Sequence, residues 1–120
     1  VLSLDLLPER LALVRSYGAI ADRPDAPELR AALRDATQGR GADVVLECVG
    51  SAAATRLAFE LARLGGTIAA AGVHCEPQFA FSPGEAYDKN LTYRAGRCPA
   101  RALMDTTMPL VAERRFALGA

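Results

Sequence analysis

Tryptophan is absent from the chain, lysine and histidine occur once each as Lys89 and His74, and there are only three cysteines, Cys48, Cys75 and Cys98. A closed zinc site needs four ligands and a catalytic one needs three at workable spacing. One histidine and three cysteines without a CxxC pair supply neither, so no local metal site is expected. A Ser-His-Asp arrangement is equally unsupported, because His74 has no nucleophile-elbow sequence near it. The odd cysteine count and the lack of a secretion signal point to reduced thiols in a cytoplasmic protein. No apolar run reaches the roughly 20 residues that a membrane helix needs. Neither sign of charge prevails, with fourteen cationic against fourteen anionic residues. The basic residues, nearly all arginine, are dispersed rather than clustered, which excludes the electrostatic footprint of a nucleic-acid or anionic-membrane binder.

What is present is a chain of 120 residues, 51% hydrophobic and 23% charged, a balance that allows one globular domain and argues against disorder. Strands and helices alternate along it. Val1 to Leu6 reads as a buried strand ending in Asp5. Pro8 and Glu9 then start a helix by presetting φ and placing negative charge near the N-terminal dipole. That helix turns Leu11, Val14 and Tyr17 inward and stops at Gly18. Ala19 to Ala21 is a short strand, and Arg23 to Pro27 a proline-bounded loop. Leu29, Leu33 and Ala36 form one buried helical stripe, ended by Gly39 and Gly41.

The second half repeats the alternation. Asp43 to Gly50 contains an apolar run without alternation, as expected of a parallel strand covered on both faces. A helix over Ala52 to Leu64 packs through Leu57, Ala58, Leu61 and Leu64, Gly65 and Gly66 close it, and Thr67 to Ala71 is another buried strand. His74 to Ser82 is a loop, and Ser82-Pro83-Gly84-Glu85 opens a helical turn. Asn90 to Ala95 is a last strand, and Ala100 to Arg115 a helix that Pro109 kinks or restarts. Such alternation implies a parallel, doubly wound α/β sheet.

In sheets of that kind ligands bind at the carboxyl ends of the strands, here Asp5, Cys48 to Ser51, Ala71 to His74, and Ala95 to Arg97. An acid at the tip of a strand next to the start of a dinucleotide fold accepts hydrogen bonds from both adenosine ribose hydroxyls and repels a 2′-phosphate. Asp5 has that position; the competing reading is an exposed acid capping the next turn. Arg10, one helical turn on, either reaches the ribose or a phosphate oxygen or is an ordinary surface arginine. Gly39-Arg40-Gly41 is not a phosphate loop, because it precedes a strand instead of following one. Glu47, near the end of a buried strand, needs an arginine or backbone amide as partner, and a structural pairing suits it better than catalysis.

Taken in order, Asp5 with Pro8-Glu9-Arg10, Gly39-Arg40-Gly41-Ala42-Asp43-Val44-Val45, and Gly65-Gly66-Thr67 leading to Gly72-Val73-His74 resemble the cofactor domain of zinc-type medium-chain alcohol dehydrogenases. Lys89-Asn90-Leu91-Thr92 followed by Gly96-Arg97-Cys98-Pro99 is similar to that family's last sheet strand and the loop after it. The resemblance implies a two-lobed parent enzyme that passes hydride between an alcohol or carbonyl substrate and NAD, with zinc in a catalytic lobe outside this chain. It implies that Asp5 takes the adenosine ribose with Arg10 beside it, and that Val49 and Gly50 border the nucleotide. Gly72 and Val73 would then meet the nicotinamide half through backbone groups, and Gly96 and Arg97 would line the carboxamide or substrate end.

On the same resemblance, residues 1–120 are a partial Rossmann domain lacking its first strand and its glycine-rich turn, a fragment inactive by itself. The missing strand would lie between those of Asp5 and Glu47. Unpaired buried backbone groups cost about 1–3 kcal/mol each against a total stability of about 5–15 kcal/mol, so the isolated piece is expected to be marginal, rearranged or oligomeric. The family also implies a homodimer joined through strand 90–95, an edge awaiting a partner. The alternatives are a non-catalytic nucleotide-binding or dimerisation module with the same sheet, a zinc-free reductase of the same superfamily, or a different α/β fold such as a methyltransferase.

Overall fold

A computed structural model describes residues 1–113. Ten elements follow in chain order: β1 (Leu2–Leu4), α1 (Pro8–Ser16), β2 (Ile20–Asp22), α2 (Leu29–Thr37), β3 (Ala42–Glu47), α3 (Ala52–Leu61), β4 (Ala62–Ala70), α4 (Pro83–Asp88), β5 (Thr92–Ala95) and α5 (Ala100–Ala112). Every ladder is parallel. The strands form two sheets, β1-β2 and β3-β4-β5, so the α/β class with parallel pairing is as expected.

Within the larger sheet the register sets which side chains share a face. Val45, Ile68 and Tyr93 are paired across β3, β4 and β5, and Glu47, Ala70 and Ala95 follow two residues on. Side chains of paired residues in a parallel ladder point the same way, so both rows lie on one face. That face carries the core: Ile68 is fully buried and packs with Ala58, Phe59, Ala62 and Phe81, with Val45, Leu91 and Tyr93 at the margin. Phe81 stacks on Phe59 at 4.8 Å between centroids, and Phe79 meets Tyr93 edge-on at 5.1 Å. Aromatic pairs in these arrangements add to what area burial alone gives.

The opposite face corrects one expectation. β3 was read as covered on both sides, yet Val44 is 58% and Leu46 72% exposed. An apolar run shows that a strand can be buried, but the elements that cover it lie elsewhere in sequence. For the same reason the strand expected over Val1 to Leu6 is half-buried and short: β1 has β2 on one edge, and Val1 and Leu6 are exposed. In α1 Leu11 is buried as expected but Tyr17, just past its end, is exposed, and in α2 Leu29 and Leu33 are buried while Ala36 is not.

The junction after α3 also differs. The helix ends at Leu61, one turn earlier than Leu64, because Ala62 is already extended at φ −63°, ψ 140°. Gly65 and Gly66 therefore sit inside β4 rather than closing the helix. The ladder jumps from Ala42 opposite Ala62 to Val44 opposite Thr67, so residues 63–66 bulge outward, with Gly65 at φ 69°. Ser82 and Glu85 make a reciprocal capping box that starts α4 at Pro83. Pro109 lies within α5, and the last two residues expected in that helix, 114 and 115, lie outside the described residues.

Candidate functional site

The register that builds the core also levels the strand ends. Because Glu47, Ala70 and Ala95 share a row, the segments just beyond them, Cys48–Gly50, Ala71–Val73 and Gly96–Arg97, emerge together at the carboxyl edge of the sheet. This is where the strand-end rule places a ligand.

The tips of β3 and β4 are locked to each other. The main-chain oxygen of Glu47 accepts from the amides of Ala71 and Gly72 at 2.7 and 3.0 Å. Its side-chain Oε1 accepts from the amides of Val49 and Gly50 at 2.7 and 2.8 Å. Glu47 is 4% exposed, so the partner its burial demands is a pair of backbone amides, one of the two possibilities the sequence left open. The two glycines permit the approach. A Cβ on Gly72 would stand 2.3 Å from the Gly50 amide nitrogen, and one on Gly50 would stand 2.5 Å from the Val73 carbonyl oxygen. Gly50 is also at φ 86°, the left-handed region that favours glycine. Val49 and Val73 are left 73% and 77% exposed on top of this ridge, an apolar surface at the strand ends. Gly96, beyond β5, has open space around it, and Arg97 is exposed.

Asp5 follows β1, held by its amide on the Asp22 carbonyl at 3.3 Å. Its Oδ1 accepts from the Leu7 amide at 2.9 Å, and Arg10 Nη1 lies 3.4 Å from Oδ2. The Leu7 hydrogen bond, aided by Arg10, holds this carboxyl below the usual aspartate range, so it is an anion at neutral pH. Asp5 thus caps the next turn, and its side chain is 30% exposed with acceptor capacity to spare. Arg10 is likewise a surface arginine, 64% exposed, and a partner of the acid. The structure therefore brings Asp5 together with Arg10, and Val49–Gly50 together with Gly72–Val73.

Three features escaped the sequence reading. Ser51 caps α3 by accepting from the Ala54 amide, and Glu76, from the loop after β4, accepts from the Ala52 amide at 2.8 Å. The N-terminus of α3 is thus closed by this chain's own carboxylate instead of being offered to an anion. Arg30, Glu60, Arg56 and Glu85 form a chain of ion pairs that ties α2, α3 and α4 together. Only Arg56 and Glu60, at i and i+4, carried a local signal. Nε2 of His74 is buried without a hydrogen-bond partner, a free polar atom one residue past Val73, its ring tilted against Phe79.

Donor and acceptor chemistry at these tips suits a dinucleotide. Asp5 offers an anionic acceptor for a diol, and Val49 and Val73 an apolar surface for a flat ring. No group of three or more potential metal ligands occurs among the described residues.

A family model described as zinc-binding dehydrogenase matches residues 1–113. The chain is 38% identical over 121 residues to the zinc-type alcohol dehydrogenase B of Aspergillus flavus, covering 99% of this chain and 28% of that protein. It is 28% identical over 123 residues to the D-xylulose reductase of Saccharomyces cerevisiae, covering 98% of this chain and 34% of that one. Among solved structures, alcohol dehydrogenase TADH from Thermus sp. ATN1 superposes with a TM-score of 0.83 at 36% identity, over 96% of this chain and 33% of that chain. The chain belongs to the zinc-binding dehydrogenase family, and its fold is similar to the Rossmann-like part of the alcohol dehydrogenases. It spans about a third of the length of the relatives it matches.

Proposed function

We propose that this chain is the NAD-binding portion of an oxidoreductase that transfers hydride between an alcohol, or the related carbonyl, and a nicotinamide cofactor. The observation that carries the reading is Asp5, a half-buried anion fixed just past the end of a parallel strand in a chain that family membership assigns to the dehydrogenases. In this reading Asp5 accepts from the adenosine ribose hydroxyls and disfavours a 2′-phosphate by charge, with Arg10 steadying the carboxylate. Val49 and Gly50 border the nucleotide. Gly72 and Val73 meet its nicotinamide half, and Gly96 and Arg97 lie toward the carboxamide or substrate.

Bound NAD supplies the hydride acceptor. The residues of this chain bind it, orient it and shape the floor beneath it. Zinc, with the proton-handling groups, is assigned to a lobe supplied by the rest of a longer protein. A strand between β1 and β3 would pair both inner edges and merge the two sheets into one. The free edge of β5 over Thr92–Ala95 suits a homodimer through paired strands: Leu91 and Tyr93 are half-buried in the chain's own core, and Thr92 and Arg94 are exposed. The three cysteines, all exposed and free, support a cytoplasmic location.

Calorimetric titration of the intact protein with NAD⁺, and a spectrophotometric assay for NADH formed from small primary and secondary alcohols, test the reading together. Saturable binding with alcohol-dependent NADH formation is expected. Binding without turnover of any alcohol would favour the non-catalytic module, and no binding would overturn the assignment.

A further inference from the structure

Glu47 is the acid buried at the end of β3. The carboxylate is 4% exposed, and among the described residues no arginine or lysine forms an ion pair with it. Its only side-chain partners there are the amides of Val49 and Gly50, both on Oε1. The second oxygen, Oε2, lies 2.8 Å from where a Cβ on Gly72 would stand, directly under the ridge formed by Gly50 and Gly72. The Glu47 carboxylate thus sits, without a cationic partner among the described residues, beneath the surface assigned to the nicotinamide half.

We infer that Glu47 makes the site discriminate between redox forms of the cofactor, favouring the oxidised nicotinamide, whose ring is a cation, over the reduced ring, which is neutral. This deepens the dinucleotide reading and rests on it. The physical cause is that a charge in a poorly hydrated position is weakly screened and attracts a cation placed over it more strongly than a surface charge could. The neutral ring gains nothing from that attraction. Two further observations agree. Tyr93, one register step back on the third strand, has its phenol pushed up by burial and, secondarily, by Glu47. A second carboxylate, Glu76, takes the Ala52 amide at the start of α3, so the neighbouring helix end presents an acid where a free N-terminus would present positive charge. Arg97 opposes this field from beyond β5, but it is exposed and therefore screened.

The test is a set of equilibrium titrations of the intact protein with NAD⁺ and with NADH, read by calorimetry and by NADH fluorescence, so that no turnover is involved. Glu47→Gln keeps a carbonyl oxygen for the two amides and removes the charge. It should weaken NAD⁺ by roughly fivefold to tenfold while leaving NADH within about twofold, so the affinity ratio shifts toward the reduced form. Glu47→Asp keeps the charge and shortens the reach to Val49 and Gly50. It should weaken both forms together and preserve the ratio. A fixed ratio in Glu47→Gln, with both affinities lowered equally or unchanged, would reduce Glu47 to a purely structural clamp and overturn the inference alone. Failure of the unaltered protein to bind either form would overturn the dinucleotide reading as well.

Discussion

The two ends of the candidate cofactor surface are built by opposite means. At the tip of β1 the atoms proposed to recognise the ligand belong to a charged side chain, Asp5, that stands partly in solvent beside Arg10. At the tips of β3 and β4 they belong to the backbone, brought together by two glycines and held by a buried glutamate. A side chain in solvent can be exchanged with little structural cost, so specificity is adjustable there. A backbone ridge set by close approach cannot change without the fold changing with it.

The sharpest contrast should come from glycine. Gly72→Ala forces a Cβ to within 2.3 Å of the Gly50 amide, with backbone rather than a flexible side chain in the way. It should cost about 3 kcal/mol of stability by urea unfolding, as overpacking of a tight contact does, and abolish cofactor binding. Gly96→Ala, with nothing within 4 Å, should stay within about 0.5 kcal/mol. Similar losses for the two would mean that the ridge is not the rigid part.

Acid should act on the helices behind the ridge. Glu85 is held down at about 2, first by its hydrogen bond from Arg56 and then by the Ser82 amide. Its folded value is depressed below the ordinary 4.5, so its stabilisation is complete above that pH and fades as pH falls toward 2. Melting temperature followed across that window should fall less steeply in Glu85→Gln than in the unaltered protein; parallel curves would remove the Arg56 pairing from the account. The smallest change is expected at Arg10. An ion pair this exposed contributes little, so Arg10→Ala should leave stability nearly unchanged and lower NAD⁺ affinity by about threefold at most.

The contrast between the two ends also explains what could be read from the residues alone. The strands expected over Val1 to Leu6, Asp43 to Gly50, Thr67 to Ala71 and Asn90 to Ala95 end within a few residues of β1, β3, β4 and β5 and were legible because apolar runs alternate with helical stripes and glycine stops, all of them local signals. The position of Asp5 was legible for the same reason. The end of α3 was not: Gly65-Gly66 has the look of a helix stop, but the chain turns extended at Ala62 and spends those glycines on a bulge. That choice depends on the ladder with β3, which lies some twenty residues away. The aromatic cluster of Phe59, Phe79, Phe81 and Tyr93 was invisible because its members come from separate elements. That Glu47 needs a partner was evident from its buried strand, while the identity of the partner was set by how β3 turns into α3. The bare face of Val44 and Leu46 was misread because an apolar run reports a capacity for burial, and the covering element is not local.

Asp5 carries the central claim, and cofactor selectivity tests it most directly. Affinities for NAD⁺ and NADP⁺ should be measured by calorimetry on the intact protein and on Asp5→Asn, which retains an oxygen for the Leu7 amide. The unaltered protein should prefer NAD⁺ by roughly tenfold or more, and the variant should lose most of that preference with its unfolding midpoint unchanged. Equal affinities in the unaltered protein, or a preference that survives the substitution, would contradict the assignment of Asp5 to the ribose.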